Sequence, residues 1–410
     1  MMKNKNKFLL DHSLIGREIE KSIKNYKWEY ILSELPLGSF LVGGYIRDLI
    51  IGKNKKKSDI DIDIIIPKDA LSVAKNIAKK YNGKFIILDK DREIVRIIFQ
   101  GLTLDIAPQI SESLIEDIYS RDFTINSISF SLDSKSIFDP LNGIEDINKS
   151  LLRTYQSKNL VDDPLRILRC FRFVSELDFH IDKNLLSFIK LYKNKLALVS
   201  VERIQYEFRK ILRGENALKS ILLIKKTNLF SWIQSEEVNS NNFLDKLNIR
   251  HFYIDEIQEF IPLFFLIETL NQFSIEKLKF SKSETTEAFF LRKWKDILFQ
   301  KSISEFNETE RFVLHKELEN ILPAFIIYLP EKDQLDWLNR WRDKEDKLFH
   351  PTNLLNGDII KKHININDGP MLGKLLDFLS KELAFNRLTS LDDAIYKAKQ
   401  WFQQNAPKYD

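Results

Sequence analysis

The 410-residue chain has a single cysteine, Cys170, so it can form no internal disulfide and no cluster of thiolate metal ligands. Glycine and proline number only 12 and 11, and no stretch is rich enough in either to read as a long linker. No apolar run reaches the length of a membrane span. The opening MMKNKNKFLLDHS turns polar too soon for a signal peptide, so a cytoplasmic location is expected. Charge of one sign is also lacking: 63 basic residues nearly balance 59 acidic ones, and the resulting +4 points only weakly to nucleic acid. Metal chemistry, if there is any, has to rest on carboxylates.

What is present changes texture along the chain. In residues 1–35, Ile19, Ile23, Trp28, Ile31 and Leu32 recur among charges at helical spacing. From Ser39 to Ser131, FLVGG, DIDIDIII, KFIIL, IVRIIF, LTLDIA and INSISFSL read as strands, and YIRDLII and LSVAKNIAKKY as helices. Beyond Asp163 apolar residues step by three and four through LRILRCFRFVSEL, VERIQYEFRKIL, LDKLNI, EFIPLFFLIETL and QLDWLNRWRD, which predicts helix. The expectation is an α+β chain with a mixed sheet in its head and helices in the rest. Its expected segments are 1–35 (helical), 36–150 (head), 151–230 (helical neck) and 231–410 (helical body and tail).

The segment SDIDIDIII places Asp59, Asp61 and Asp63 on one face of a strand and Ile60, Ile62 and Ile64 on the other. Carboxylates stacked so closely raise one another's pKa unless cations intervene, and divalent ions with oxygen ligands suit them. A polar edge strand is the plainer alternative. Upstream, Gly43-Gly44 stand at a strand-to-helix turn before Arg47 and Asp48, where the backbone and a helix N-terminus can cradle phosphate. Together these features describe a triphosphate cradle beside a two-metal site.

The combination GGYIRD followed by Asp-x-Asp resembles the first motif of the polymerase β superfamily, in the branch of class II tRNA nucleotidyltransferases and poly(A) polymerases. Four further blocks follow in that family's order: Arg121–Asn126 (RDFTIN), Phe138–Asp146 (FDPLNGIED), Asp162–Phe173 (DDPLRILRCFRF), and Val201–Ile204 with Glu207. The block Phe138–Asp146 has one glycine where the family more usually has a second, and the block Asp162–Phe173 has Asp162 where Glu is usual. The resemblance implies a polymerase β-like head and Mg²⁺ held by two aspartates. Alignment of DIDIIIPKDAL favours Asp61 and Asp63 over Asp59, with Asp105 as the candidate third carboxylate. It also implies that Gly43, Gly44, Arg47, Asp48, Arg121, Asp122 and Asn126 contact the incoming nucleotide, and that Asp163 and Arg166 read its base.

Local physics gives Asp163 a second reading, as the cap of a helix with Pro164 in its first turn. Arg169 and Arg172 follow at three-residue steps, as candidates for an RNA path or for a solvated stripe. Glu202, Arg203 and Glu207 read as a helix brace. The implied activity is template-independent addition of CMP, AMP or both to the tRNA 3′ end, with tRNA, CTP and ATP as partners. In LDIAPQISESLIEDIYSRDF there is little room for the loop with which full CCA-adding members switch from CTP to ATP. That suggests addition of the CC part, with a second enzyme completing the end. The competing readings are a poly(A) polymerase and, from another class, a noncatalytic RNA-binding paralogue. None of the six histidines precedes an aspartate, which argues against an appended metal phosphohydrolase domain.

Overall fold

The computed structural model describes residues 11–25, 28–52, 60–110, 113–234, 238, 243–244, 247–364 and 366–405. The chain divides into two compact units, Met1–Leu223 and Ile224–Asp410. Asp59 and the KNKKK run lie outside the described residues. Among those residues no helix is long and apolar enough to cross a membrane.

The first unit opens with α1 (His12–Asn25) and α2 (Glu29–Leu32), and Ile19, Ile23, Trp28, Ile31 and Leu32 are all buried. A seven-stranded mixed sheet follows, in the order β3-β4-β5-β2-β1-β6-β7. Its strands are β1 (Phe40–Val42), β2 (Ile60–Ile66), β3 (Lys84–Asp89), β4 (Ile94–Phe99), β5 (Leu102–Pro108), β6 (Ser129–Ser131) and β7 (Ile137–Phe138). Between them run α3 (Gly44–Ile51), α4 (Ala70–Lys80) and α5 (Leu114–Ser120). Strands β2 and β5 are parallel, and every other neighbouring pair is antiparallel.

Register gives the sheet two unlike faces. Ile62, Ile64, Leu104, Ile106, Val95 and Ile97 share one face and are fully buried, and Ala70, Ala74 and Ile77 of α4 are buried with them. Each such aliphatic side chain contributes about 1.5–3 kcal/mol relative to exposure, enough to fix the register. Asp61, Asp63, Asp105 and Arg96 are thereby forced onto the opposite face.

The stretch INSISFSL, expected as one strand, is divided. Thr124–Asn126 form a 3-10 turn and only Ser129–Ser131 join the sheet. Tertiary contacts override local propensity here: Thr124 N–H donates to Arg153 O, and Gly143 sits so close that a Cβ on it would lie 2.2 Å from Thr124 O.

After β7 come α6 (Gly143–Asn148), β8 (Leu151–Leu152), α7 (Lys158–Asp162) and α8 (Leu165–Leu177). They are followed by β9 (His180–Ile181), which pairs with β8, and by α9 (Lys183–Tyr192) and α10 (Val201–Arg213). Helices α8 and α10 bury their apolar stripes together, and Arg172 Nη1 donates to Glu207 Oε1 across the seam at 3.0 Å. Arg172 is therefore a buried brace, neither an RNA contact nor part of a solvated stripe.

In the second unit the regular elements among the described residues are helices, among them Ile254–Thr269, Lys282–Gln300, Glu308–Leu318, Glu331–Arg342, Pro370–Ala384 and Leu391–Asn405. Of residues 244–249, expected as helix, the described ones are a turn at Leu244 and irregular backbone at 247–249. The Asn248 side chain takes the Arg250 N–H, a local bond that competes with helix. At this unit's centre the buried Lys295 and Glu268 are 2.6 Å apart, with Tyr328 also donating to Glu268.

Candidate active site

The site is built on the polar face of the sheet. Asp63 on β2 pairs in register with Asp105 on β5, which in turn pairs with Arg96 on β4. Asp61 stands two residues before Asp63 on the same face and is exposed. Arg96 grips Asp105 with two bonds of 2.7 Å, from Nε and Nη2. Asp105, expected as a third carboxylate, is thus paired with Arg96. Among the described residues no group of three His, Cys, Asp or Glu is arranged to hold a metal.

Burial pushes the Asp63 carboxyl above the usual aspartate range, with Asp105 and Asp61 adding to the shift and the Arg121 and Arg169 guanidiniums opposing it. An acid held in that condition has a standing affinity for positive charge. Gly43, just past β1, has φ 79°, and a Cβ on it would stand 2.6 Å from Asp63 Oδ2. A side chain at this turn would fill the space beside the carboxylate.

Four residues expected to meet the nucleotide lie one layer behind this surface. Arg47 on α3 donates to Asp48 from Nε and Nη2, at 2.9 and 2.7 Å, and to Asn126 Oδ1 from Nη1 at 2.7 Å. Asn126 Nδ2 donates to Asp122 Oδ1 at 2.9 Å. Arg169 Nε and Nη2 close the chain on Asp122 Oδ2, at 2.8 and 2.6 Å. Burial alone would raise the Asp122 carboxyl, but Arg169, Asn126 and Arg166 hold it well below the usual range. Asp48, Asp122 and Asn126 are buried, and Arg47, Arg169 and Arg172 surround the face of the buried Phe173 at 4.9, 5.7 and 4.8 Å. In the block Phe138–Asp146, which has only one glycine, Asn142 holds φ 56°, a conformation asparagine tolerates.

Arg121 differs from that network. It faces Asp63, its Nη1 reaches Asn126 O only at 3.4 Å, and its buried Nε has no partner. An orphaned guanidinium nitrogen is costly unless a ligand takes it.

Beside the carboxylates opens a cleft of about 810 Å³. Its walls include Ile65 and Ala107 at the ends of β2 and β5, Arg92 on the β3–β4 turn, and Arg121, Asp163, Arg166 and Arg203. Asp163 accepts the Leu165 N–H at 3.3 Å at the start of α8, so the local capping contact exists. Both of its oxygens also face Arg203 Nη2 from α10, at 3.0 and 3.3 Å. Arg203 was expected only as part of a helix brace. Its pairing with Asp163 is invisible in the sequence, since forty residues separate the two. Arg166 is tied through Nη1 to the carbonyls of Ser120 and Asn159, at 2.7 and 3.2 Å. Strand β5 ends at Pro108 and α5 begins at Leu114. This short link is pinned by Gln109 N–H to Ile66 O and by Ile110 N–H to Asp117 Oδ2.

Residues 39–153 match the model of the poly A polymerase head domain, and residues 178–239 that of the probable RNA and SrmB-binding site of polymerase A. A CC-adding tRNA nucleotidyltransferase from Synechocystis is 26% identical, over 90% of this chain and 95% of its own length. Residues 39–153 and 178–239 are thus similar to the head and RNA-binding modules of the poly A polymerase family, and the chain as a whole to a tRNA nucleotidyltransferase. Another CC-adding relative, from Geobacter sulfurreducens, is 32% identical over 45% of this chain and 43% of its own. Among solved structures, a CCA-adding enzyme with CTP superposes with a TM-score of 0.74 at 21% identity, covering 97% of this chain and all of that one. A Thermotoga maritima CCA-adding enzyme complexed with tRNA gives 0.70 at 20% identity, covering 95% of this chain and 94% of that one. The mixed-sheet head and the largely helical remainder are thus the fold of this family.

Proposed function

We propose that the chain adds CMP to the 3′ end of tRNA, building the CC part of the CCA end without a template. The observation that carries the CC assignment is the shortness of the link between Pro108 and Leu114, whose described residues Gln109 and Ile110 are bonded to Ile66 and Asp117. The full-length similarity to a CC-adding relative supports it.

Asp61 and Asp63 fit divalent cations: they share one strand face, Asp63 holds its charge at a cost, and Gly43 leaves space beside it. When bound, Mg²⁺ supplies the charge that eases loss of the attacking hydroxyl's proton and offsets that on the departing pyrophosphate. The chain's own residues do the positioning. Arg121 offers its unpartnered Nε to the nucleotide's phosphates or ribose. Arg47, Asp48, Asn126, Asp122 and Arg169 form the rigid layer that fixes Arg121 and the α3 start. In the cleft an Asp163 oxygen accepts from the base's amino group while Arg166 donates to its ring, and Arg203 holds the other oxygen of Asp163.

The test supplies purified protein and Mg²⁺ with tRNAs ending before CCA, after C and after CC, each with CTP or ATP alone. CMP should enter the first two and neither nucleotide the third. AMP added after CC would make the chain a full CCA-adding enzyme, a long A tail on unrelated RNA would make it a poly(A) polymerase, and no transfer at all would favour the noncatalytic paralogue.

A further inference from the structure

Tyr119, at the end of α5, and Tyr155, before α7, stack with ring centroids 4.3 Å apart and planes 18° from parallel. Tyr119 is half-buried, whereas Tyr155 is 49% exposed. A stacked pair with one ring this open presents a second aromatic face to solvent, a surface onto which a further flat ring can be added. Nothing assigned so far uses it.

The pair is fastened to the catalytic floor at both ends of the Tyr155 segment. On one side Arg153 O accepts the Thr124 N–H at 2.9 Å. On the other, Asn159 Nδ2 donates to Tyr119 O and Arg121 O, at 2.8 and 2.7 Å. Arg121 faces Asp63, and Ser120, next after Tyr119, lines the cleft and holds Arg166. The stacked pair is therefore held by the same segment, 119–121, that faces Asp63 through Arg121 and holds Arg166 through Ser120. Exposed Lys158, three residues after Tyr155, adds a cation nearby, which suits a ligand carrying phosphate.

We infer that Tyr155, backed by Tyr119, is a stacking platform for the unpaired base at the 3′ end of the RNA acceptor. The inference rests on the proposed transfer to tRNA and names how this chain holds the acceptor strand. The incoming nucleotide has its own place in the cleft, with hydrogen-bonding readers, whereas stacking on an aromatic ring accepts any base, as an acceptor site must. A stack of two protein rings and one base also loses little on binding, because the two tyrosines are already ordered.

The test uses the full chain with Mg²⁺ and a tRNA lacking its CCA end whose unpaired terminal base is replaced by 2-aminopurine, which is quenched on stacking. Wild-type protein should quench it, Tyr155→Phe should quench it equally, and Tyr155→Ala should lose most of the quench. The KM for this tRNA should rise about tenfold or more in Tyr155→Ala, the scale of one lost base–aromatic stack, with the KM for CTP unchanged. Undiminished quench in Tyr155→Ala, or an equal rise in both KM values, overturns the platform. Wild-type protein that transfers no CMP overturns the proposed function beneath it, which separates the two failures.

Discussion

Gly43 and Asp63 come so close that a Cβ on the glycine would lie 2.6 Å from the aspartate's Oδ2. Gly43 also holds φ at 79° and ψ at −141°, a backbone conformation closed to residues with a side chain. Gly43→Ala should therefore strain the turn and push Asp63 aside together. The expected result is loss of CMP transfer by about 100-fold or more, the usual cost of an ångström's misplacement at a reacting centre. Gly44→Ala meets only the Arg47 guanidinium, whose Nη2 lies at an ordinary contact distance of 3.4 Å, and should lose much less. Single-turnover rates of the two variants compare them directly.

Asp63 gives a prediction about stability as well as rate. Its folded pKa is raised, so the folded state keeps the proton longer than the unfolded chain does, and stability is lost as pH rises from the ordinary aspartate value of 3.8 toward the raised one. At neutral pH the ionised group is a liability unless a cation is present. Asp63→Asn should melt above wild type in EDTA at pH 7 while transferring nothing. Adding Mg²⁺ should raise the wild-type melting temperature and leave that of Asp63→Asn unchanged. A wild type indifferent to Mg²⁺ would contradict metal binding at this pair.

Much of this arrangement was legible in the sequence because period-two alternation fixes which face each residue takes. Asp61 and Asp63 could be placed opposite Ile62 and Ile64 without coordinates, and the helical steps of LRILRCFRFVSEL coincide with α8, Leu165–Leu177. What could not be read were contacts between distant segments. Arg96 pairs with Asp105 only because β4 and β5 pair in one particular register. Asn126 is implied by the resemblance to contact the incoming nucleotide, and its side chain both donates and accepts. Burial turns both functions inward, onto Asp122 and Arg47. The 3-10 turn at Thr124–Asn126 carries the strand-forming Thr124 and Ile125, and the Thr124–Arg153 bond and the close approach of Gly143 explain why they leave the sheet.

Arg203 and Asp163 separate two roles for one carboxylate. As a cap, Asp163 contributes a single 3.3 Å bond to Leu165 N, whereas Arg203 approaches both of its oxygens. Asp163→Ala should therefore relax the preference for CTP over ATP more than it lowers the melting temperature. Arg203→Ala should keep kcat near wild type and raise the KM for CTP about tenfold, the scale of one charge-assisted hydrogen bond, and Arg203→Lys should recover part of the loss. If both alanine variants lose stability and keep their nucleotide preference, Asp163 is a cap and Arg203 a brace.

Arg172 and Glu207 make the opposite case, a charge pair with no part in the cleft. Their side chains are 10% and 4% exposed; Glu207 Oε2 has no hydrogen-bond partner, and Arg172 Nε has only the Glu176 carboxylate, 3.7 Å away, so the pair is incompletely satisfied even when intact. Removing one member leaves the other charge buried between α8 and α10, which costs about 3–5 kcal/mol, whereas replacing both with apolar residues of similar volume is often close to neutral. Glu207→Leu or Arg172→Met alone should shift the urea midpoint sharply downward, and the double variant should recover most of it. Because Arg172 also lies against Phe173, whose other face neighbours are Arg47 and Arg169, the single variants should lose transfer activity in step with stability. A double variant that is stable but inactive would mean that Arg172 acts on the nucleotide site through Phe173, beyond bracing the two helices.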